Sequence, residues 1–76
     1  MKVRFYGNLA DAIGRDLEVE PSESIAQLRR LLEVRHPAAA SAIARSRAVI
    51  GDTLVDEDCK LDPSDKVEFL PPVSGG

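Results

Sequence analysis

Cysteine is nearly absent from this sequence of 76 residues, since Cys59 is the single example and an internal disulfide is therefore excluded. There is also a single histidine, His36, and no cysteine–histidine pair has the spacing of metal ligands. A domain this small, without disulfide or metal, depends on a compact apolar core or on a partner protein. The missing disulfide also favours a reducing compartment.

An excess of basic residues is absent as well. The net charge is -3 and the pI is about 5.0, which argues against a nucleic-acid partner because such surfaces are basic. Long apolar runs are missing, so neither a signal sequence nor a membrane span is expected, and the cytoplasm is the expected location. With 43% hydrophobic and 30% charged residues, the composition is typical of a globular protein.

Three segments alternate polar and apolar residues, which predicts strands with one buried face. They are residues 2–6, with Val3 and Phe5 inward, residues 16–20, with Leu17 and Val19 inward, and residues 66–70, with Val67 and Phe69 inward. Residues 48–50 and 53–55 flank Gly51-Asp52 and predict a tight hairpin. Asp62-Pro63-Ser64-Asp65 predicts a turn before the last strand.

Helix signals lie between these strands. Residues 9–13 predict a short helix ended by Gly14. Ser24 and Gln27 form a capping box at the start of a longer helix that Pro37 ends. Its predicted apolar stripe is Ile25, Leu28, Leu31 and Leu32, and its predicted solvent face is Arg29, Arg30, Glu33 and Arg35. Residues 38–45 are rich in alanine and fit either a second helix or a compact loop.

The order of elements predicts an α+β fold. One main helix across a mixed sheet, with the first and last strands parallel at its centre, is the β-grasp arrangement. We expect a domain over residues 1–70 and an extended, flexible tail over residues 71–76.

The tail is the predicted working end. It consists of Pro71, Pro72, Val73, Ser74, Gly75 and Gly76. The two prolines end strand pairing and stiffen the exit, and the six residues reach about 20 Å when extended. Two terminal glycines lack Cβ atoms and fit a narrow channel, which leaves the carboxylate of Gly76 unhindered. A frayed chain end is the alternative interpretation.

A free carboxylate is unreactive at neutral pH and requires activation, for instance as an acyl-adenylate. The sequence contains no phosphate-binding glycine loop, metal site or nucleophile–base pair, so we expect a different protein to supply that chemistry. His36 is expected to be a solvated residue at a helix end. Cys59 lies in an acidic loop that disfavours its thiolate.

Strand alternation also predicts an apolar patch near the base of the tail. Because side chains alternate between the two faces of a strand, the outward residues include Tyr6, Leu54 and Leu70. Together they would form a docking surface for a partner. Scattered surface apolar residues, which are common, are the alternative.

The ending Phe69-Leu70-Pro71-Pro72-Val73-Ser74-Gly75-Gly76, with the strand order and size, resembles the MoaD branch of the ubiquitin-like MoaD/ThiS sulfur-carrier family. The hairpin segment 49–55 also fits, although asparagine is common in the family at the position of Gly51. The resemblance implies a ubiquitin-like fold and a small subunit of molybdopterin synthase. It also places the family's partner surface on Tyr6, Leu54 and Leu70.

The resemblance implies a set of partners as well. A MoeB-like, E1-type enzyme would use ATP to adenylate Gly76, and a sulfurtransferase would convert it to a thiocarboxylate. A MoaE-like large subunit would then receive the sulfur for transfer to cyclic pyranopterin monophosphate. This chain itself is expected to bind no cofactor. Two alternatives stay open: a ThiS-like carrier for thiamin, cysteine or tungstopterin synthesis, and a ubiquitin-like protein modifier joined to lysine.

Overall fold

The strands arise where polar and apolar residues alternate, and the helices where apolar residues recur every three to four positions. The computed structural model describes residues 1–72. Its strands are β1 (Lys2–Phe5), β2 (Asp16–Glu18), β3 (Arg47–Ile50), β4 (Thr53–Val55) and β5 (Lys66–Leu70). Its helices are α1 (Gly7–Ile13), α2 (Ile25–Arg35) and α3 (Ala40–Arg45), with a 3₁₀ turn at Pro37–Ala39.

The strands form one five-stranded mixed sheet in the order β2-β1-β5-β3-β4. β1 and β5 are parallel neighbours at the centre, and the other pairs are antiparallel. This arrangement confirms the predicted β-grasp architecture. It also brings the start of α1, which follows β1, level with the end of β5.

One core is shared by the sheet and the helices. Phe5 and Phe69 are fully buried and stack with ring centroids 5.8 Å apart. α2 adds Ile25, Leu28 and Leu32, each without solvent exposure, as its stripe predicts. The remaining core residues are Met1, Val3, Leu9, Val19, Ile43, Ala48 and Val67. Among residues 1–72, every core residue therefore precedes Pro71.

Local signals determine several element ends. The Ser24 hydroxyl accepts a hydrogen bond from the Gln27 amide at 3.2 Å, which confirms the predicted cap of α2. The Gln27 side chain accepts from the amide of Glu23, one residue before the cap, at 2.6 Å. Gly51 and Asp52 have φ values of 53° and 67°, as a tight two-residue hairpin of the mirror-image type requires.

The prediction that Arg29 faces water is wrong, because its side chain is only 11% exposed. The guanidinium donates to the Ser46 carbonyl and hydroxyl, each at 2.9 Å, and to the Ile43 carbonyl. It also pairs with Glu57 and lies 5.4 Å from the centroid of the Phe69 ring. The physical reason is periodicity: Arg29 is four residues after Ile25 and three before Leu32, so it shares the buried stripe.

The remaining solvent-face predictions hold for Arg30 and Arg35, which are exposed, whereas Glu33 is half-buried. Residues 38–45 form the end of the 3₁₀ turn and α3, anchored by the fully buried Ile43. Strand β2 ends at Glu18, two residues before the predicted end. Val19 is nonetheless buried, and its amide donates to the Met1 carbonyl at 3.0 Å. Among residues 1–72, no helix is long and apolar enough to cross a membrane.

Candidate functional site

The base of the tail lies at the end of the central strand β5. The last ladder position is Leu70, which is opposite Arg47 of β3. Pairing ends there, as predicted, because Pro71 has no amide hydrogen to donate. Pro71 is half-buried and Pro72 is exposed. The other predicted tail residues, Val73, Ser74, Gly75 and the reactive Gly76, lie outside the described residues.

The face of the sheet opposite the core is built from the outward residue of each strand. One row crosses all five strands, because Arg4 is opposite both Asp16 and Glu68, and Val49 is opposite both Glu68 and Leu54. Directly opposite side chains on one face are about 5 Å apart at Cβ. The row therefore changes from charged on β2, β1 and β5 to apolar on β3 and β4.

Tyr6 and Leu70 lie beside the apolar half of this row. The paired Phe5 and Phe69 immediately precede them, and the backbone of Tyr6 stays extended (φ −130°, ψ 161°). Tyr6 is therefore on the same outer face as Leu70. Its hydroxyl donates a hydrogen bond to the Glu68 carboxylate, which holds the ring against β5.

Leu54 is 59% exposed and is separated from β5 by the strand β3. Val49 fills the position between Leu54 and Leu70, directly opposite the first and diagonal to the second. Val49 was not among the predicted patch residues, although its neighbour Ala48 faces the core and alternation points Val49 outward. We call Tyr6, Val49, Leu54 and Leu70 the outer patch.

Charged groups border the outer patch on the β1 side. Arg4 Nε lies 2.8 Å from Asp16 Oδ1. This hydrogen bond holds the pKa of the Asp16 carboxyl below its usual value. It also raises the pKa of the Arg4 guanidinium above its usual value. Arg4 is thus a fixed positive charge beside the Tyr6–Glu68 pair. The site consequently combines an apolar docking face with a charged margin.

His36 and Cys59, the two residues considered for other chemistry, make backbone hydrogen bonds at the two ends of α2. His36 caps the end of α2, where its amide donates to the Leu32 carbonyl at 2.9 Å. Cys59 is half-buried, and its carbonyl accepts from the Ile25 amide at the start of α2 at 3.1 Å. Within residues 1–72, no three His, Cys, Asp or Glu side chains are grouped as ligands for a metal ion.

The fold and the site define a ubiquitin-like β-grasp domain whose central strand leads into a carboxy-terminal tail. The ThiS family model matches residues 3–76, and the chain belongs to that family. The resemblance to the MoaD/ThiS group is therefore confirmed.

Individual proteins are similar to this chain over nearly its whole length. The chain is 27% identical over 82 residues to a molybdopterin synthase sulfur carrier subunit of Dictyostelium discoideum, covering 99% of this chain and 94% of the relative. Its fold matches that of small archaeal modifier protein 1 from Methanosarcina acetivorans with a TM-score of 0.84 at 24% identity, covering 99% and 94% of the two chains. It also matches a chain in the complex of subunits 1 and 2 of the molybdopterin-converting factor from Helicobacter pylori 26695. That match has a TM-score of 0.71 at 24% identity, covering 99% and 96%.

Proposed function

We propose that this chain is a sulfur carrier that acts as the small subunit of a molybdopterin synthase. The observation that carries the proposal is the ThiS family match, which extends through Gly76 at the end of a domain whose central strand leads directly into the tail. The Dictyostelium relative, similar over 99% of this chain, supports molybdopterin synthesis as the pathway. No catalytic group of this chain is needed in the proposal.

The reactive group in this proposal is the carboxylate of Gly76. A MoeB-like, E1-type enzyme joins it to AMP from ATP with release of pyrophosphate. A sulfurtransferase then delivers sulfur at the level of hydrosulfide, which bonds to the acyl carbon as the bond to AMP breaks. AMP leaves, and Gly76 then carries a thiocarboxylate. Activation is required because a carboxylate at neutral pH is ionised and is a poor acceptor of nucleophiles.

The outer patch is the proposed docking surface for a MoaE-like large subunit. Leu70 immediately precedes the tail, and Val49 connects it to the exposed Leu54. A partner that covers this patch would hold the tail close to its own active site, where the sulfur passes to cyclic pyranopterin monophosphate. The complex of the two converting-factor subunits from Helicobacter pylori supports pairing with a large subunit.

A protein modifier is the second candidate function, because the fold also matches an archaeal modifier protein with a TM-score of 0.84. Both functions begin with the same adenylate and differ in the nucleophile that attacks it. Hydrosulfide-level sulfur that displaces AMP gives a thiocarboxylate, and a lysine amine that displaces AMP gives an isopeptide bond.

Intact-mass measurement tests the proposal. The purified chain is incubated with ATP, an E1-type activating enzyme and a sulfurtransferase with its sulfur donor, and a control omits ATP. We expect an ATP-dependent mass gain equal to the difference between sulfur and oxygen. We then expect the gain to disappear when a MoaE-like subunit and cyclic pyranopterin monophosphate are added, with formation of molybdopterin.

Other outcomes identify the alternatives. Protein-sized adducts on lysine would contradict the carrier and support the modifier. A thiocarboxylate that a MoaE-like subunit does not consume would place the chain in another sulfur pathway, such as thiamin, cysteine or tungstopterin synthesis.

A further inference from the structure

Gly7 and Pro71 are in direct contact where the chain leaves the sheet. Because the parallel β1 and β5 pair Phe5 with Phe69, two further steps along each chain bring Gly7 level with Pro71. A Cβ atom at Gly7 would lie 3.0 Å from Pro71 Cγ, 3.8 Å from its Cδ and 3.9 Å from its Cβ. The proline ring therefore lies against one side of the α-carbon of Gly7, and a Cβ atom there would require the ring to shift by a few tenths of an ångström.

Two separate constraints act on Gly7. Its φ of +60° is in the left-handed region, which residues with a side chain adopt rarely. Gly51 has nearly the same φ, +53°, but a Cβ there would have no described atom within 4 Å. The backbone conformation alone therefore does not require a covered α-carbon, and the contact with Pro71 is an additional feature of Gly7.

The contact lies directly after the end of β5, where the tail begins. Strand β5 ends at Leu70, so the position of the Pro71 ring is no longer held by ladder hydrogen bonds. The ring fixes φ of Pro71 near −65°, and a fixed ring position then fixes the path of the chain through Pro72. Leu70, one residue earlier, belongs to the outer patch. The contact thus sets one geometric relation between the docking surface and the beginning of the tail.

We propose that Gly7 is a positioning residue that holds Pro71 and so orients the beginning of the tail, Pro71-Pro72, relative to the outer patch. The inference rests on the proposed function in one respect, namely that the tail is the reactive part. A partner that docks on the outer patch must also receive Gly76. A fixed direction at Pro71 and Pro72 reduces the conformational freedom lost when both are bound.

The test compares Gly7→Ala with Gly51→Ala as a matched control. Both variants place a side chain at a left-handed φ, but only in the first does the new Cβ meet Pro71. Residual dipolar couplings of the Cα–Hα bonds of Pro71 and Pro72 report the direction of the chain there. We expect the same couplings in the unmodified chain and in Gly51→Ala, and altered couplings in Gly7→Ala.

The functional measurement is the initial rate of ATP-dependent adenylation by an E1-type enzyme at several concentrations of the carrier. We expect Gly7→Ala to lower kcat by about tenfold or more, as misplacement of a reacting group does. The KM should stay within about twofold because the substitution leaves the rest of the domain surface unchanged. Gly51→Ala should retain the original kcat. Equal rates for the two variants would overturn the inference.

Pro71→Ala keeps the inference testable if Gly7→Ala does not fold. This variant removes the ring, leaves Gly7 intact, and should lower kcat in the same way. If both single variants fold, their effects should be non-additive, so that the double variant is no slower than the slower single one. Multiplicative effects, or an unchanged rate in Pro71→Ala, would overturn the proposed coupling.

The proposed function and the positioning role of Gly7 can each be disproved without the other. If the unmodified chain is not adenylated, the proposed function is wrong, while the residual dipolar couplings still report whether Gly7 holds Pro71. If the unmodified chain is adenylated and Gly7→Ala matches Gly51→Ala, the function stands and the positioning role is wrong.

Discussion

At the residue scale, Arg29 connects three parts of the fold through one side chain. Its guanidinium satisfies carbonyl groups at the end of α3, forms a two-point pair with Glu57 in the loop after β4, and covers the Phe69 ring. Phe69 is two residues before Pro71. The side chain therefore stabilises the part of β5 from which the tail begins.

Replacing Arg29 with leucine should remove these contacts while preserving helix propensity. The carbonyls of Ile43 and Ser46 would lose their donor, and we expect a loss of about 2–3 kcal/mol in the free energy of unfolding. The matched control is Arg30→Leu on the exposed face, for which we expect a change within about 0.5 kcal/mol. Urea denaturation measures both. Equal losses would show that the buried contacts of Arg29 contribute little.

Leu54 is a more selective probe of the outer patch than Leu70. Leu70 is half-buried, so its replacement alters packing as well as binding, whereas Leu54 is 59% exposed. We expect Leu54→Asp to weaken binding of a MoaE-like subunit by about tenfold or more, because it places a charge against an apolar partner surface. Isothermal titration calorimetry measures the dissociation constant.

The control for this binding experiment is Val34→Asp, since Val34 is 73% exposed and lies on α2 rather than on the sheet. It should leave the dissociation constant within about twofold. Leu70→Asp should also weaken binding, and by more than it lowers stability. A large loss of stability with unchanged binding would assign Leu70 to the core.

At the element scale, turns and caps were predictable because their chemistry is local. Ser24 starts α2 and the Gly51-Asp52 pair closes the hairpin as the sequence indicates. The alanine-rich segment was not predictable, because α3 depends on burial of Ile43 against residues distant in the sequence. The buried position of Arg29 was missed for another reason. Its charge led to its assignment to the solvent face, although helical periodicity places it on the apolar stripe.

The turn before β5 should contribute an acid-dependent part of stability. The hydroxyl and amide of Ser64 donate to Asp62 at 2.6 Å and 2.9 Å, which holds the pKa of the Asp62 carboxyl below its usual value. A carboxyl whose pKa is lower in the folded state stabilises the fold above its unfolded pKa of about 4. That contribution is lost as the pH falls through the folded pKa.

Asp62→Asn keeps an acceptor oxygen in this turn but removes the charge. We therefore expect a flatter dependence of the unfolding free energy on pH below about pH 4 than in the unmodified chain. Thermal or urea unfolding at a series of pH values measures the slope. The control is Asp11→Asn, an exposed carboxyl on α1. If both variants flatten the curve equally, the hydrogen bonds to Asp62 are not the cause.

At the scale of the whole molecule, the β-grasp fold followed from the order of the elements, but the relations between distant residues did not. Val49 enters the outer patch only because β3 lies between β4 and β5. Gly7 meets Pro71 only because β1 and β5 are parallel and in register. Alternation in the sequence indicates which face of its strand a residue occupies, whereas these two contacts depend on the strand order and register of the folded sheet.

The separation between the core and the tail leads to the last prediction. Because every core residue in the described part of the chain precedes Pro71, deleting Gly76 or adding one alanine after it should leave the thermal unfolding midpoint unchanged within about 1 °C. Either change removes or displaces the carboxylate on Gly76. Under the proposed function, neither variant should gain the mass of a sulfur-for-oxygen exchange with ATP, an E1-type enzyme and a sulfurtransferase.

Binding to a MoaE-like subunit provides the control for these two variants, because the outer patch is untouched and complex formation should persist. The intact mass of the extended variant is measured before the reaction, so that removal of the added alanine by a contaminating protease is detected. Sulfur transfer by either intact variant would show that the terminal carboxylate of Gly76 is not the reactive group. In that case the carrier function would have to reside elsewhere in the chain.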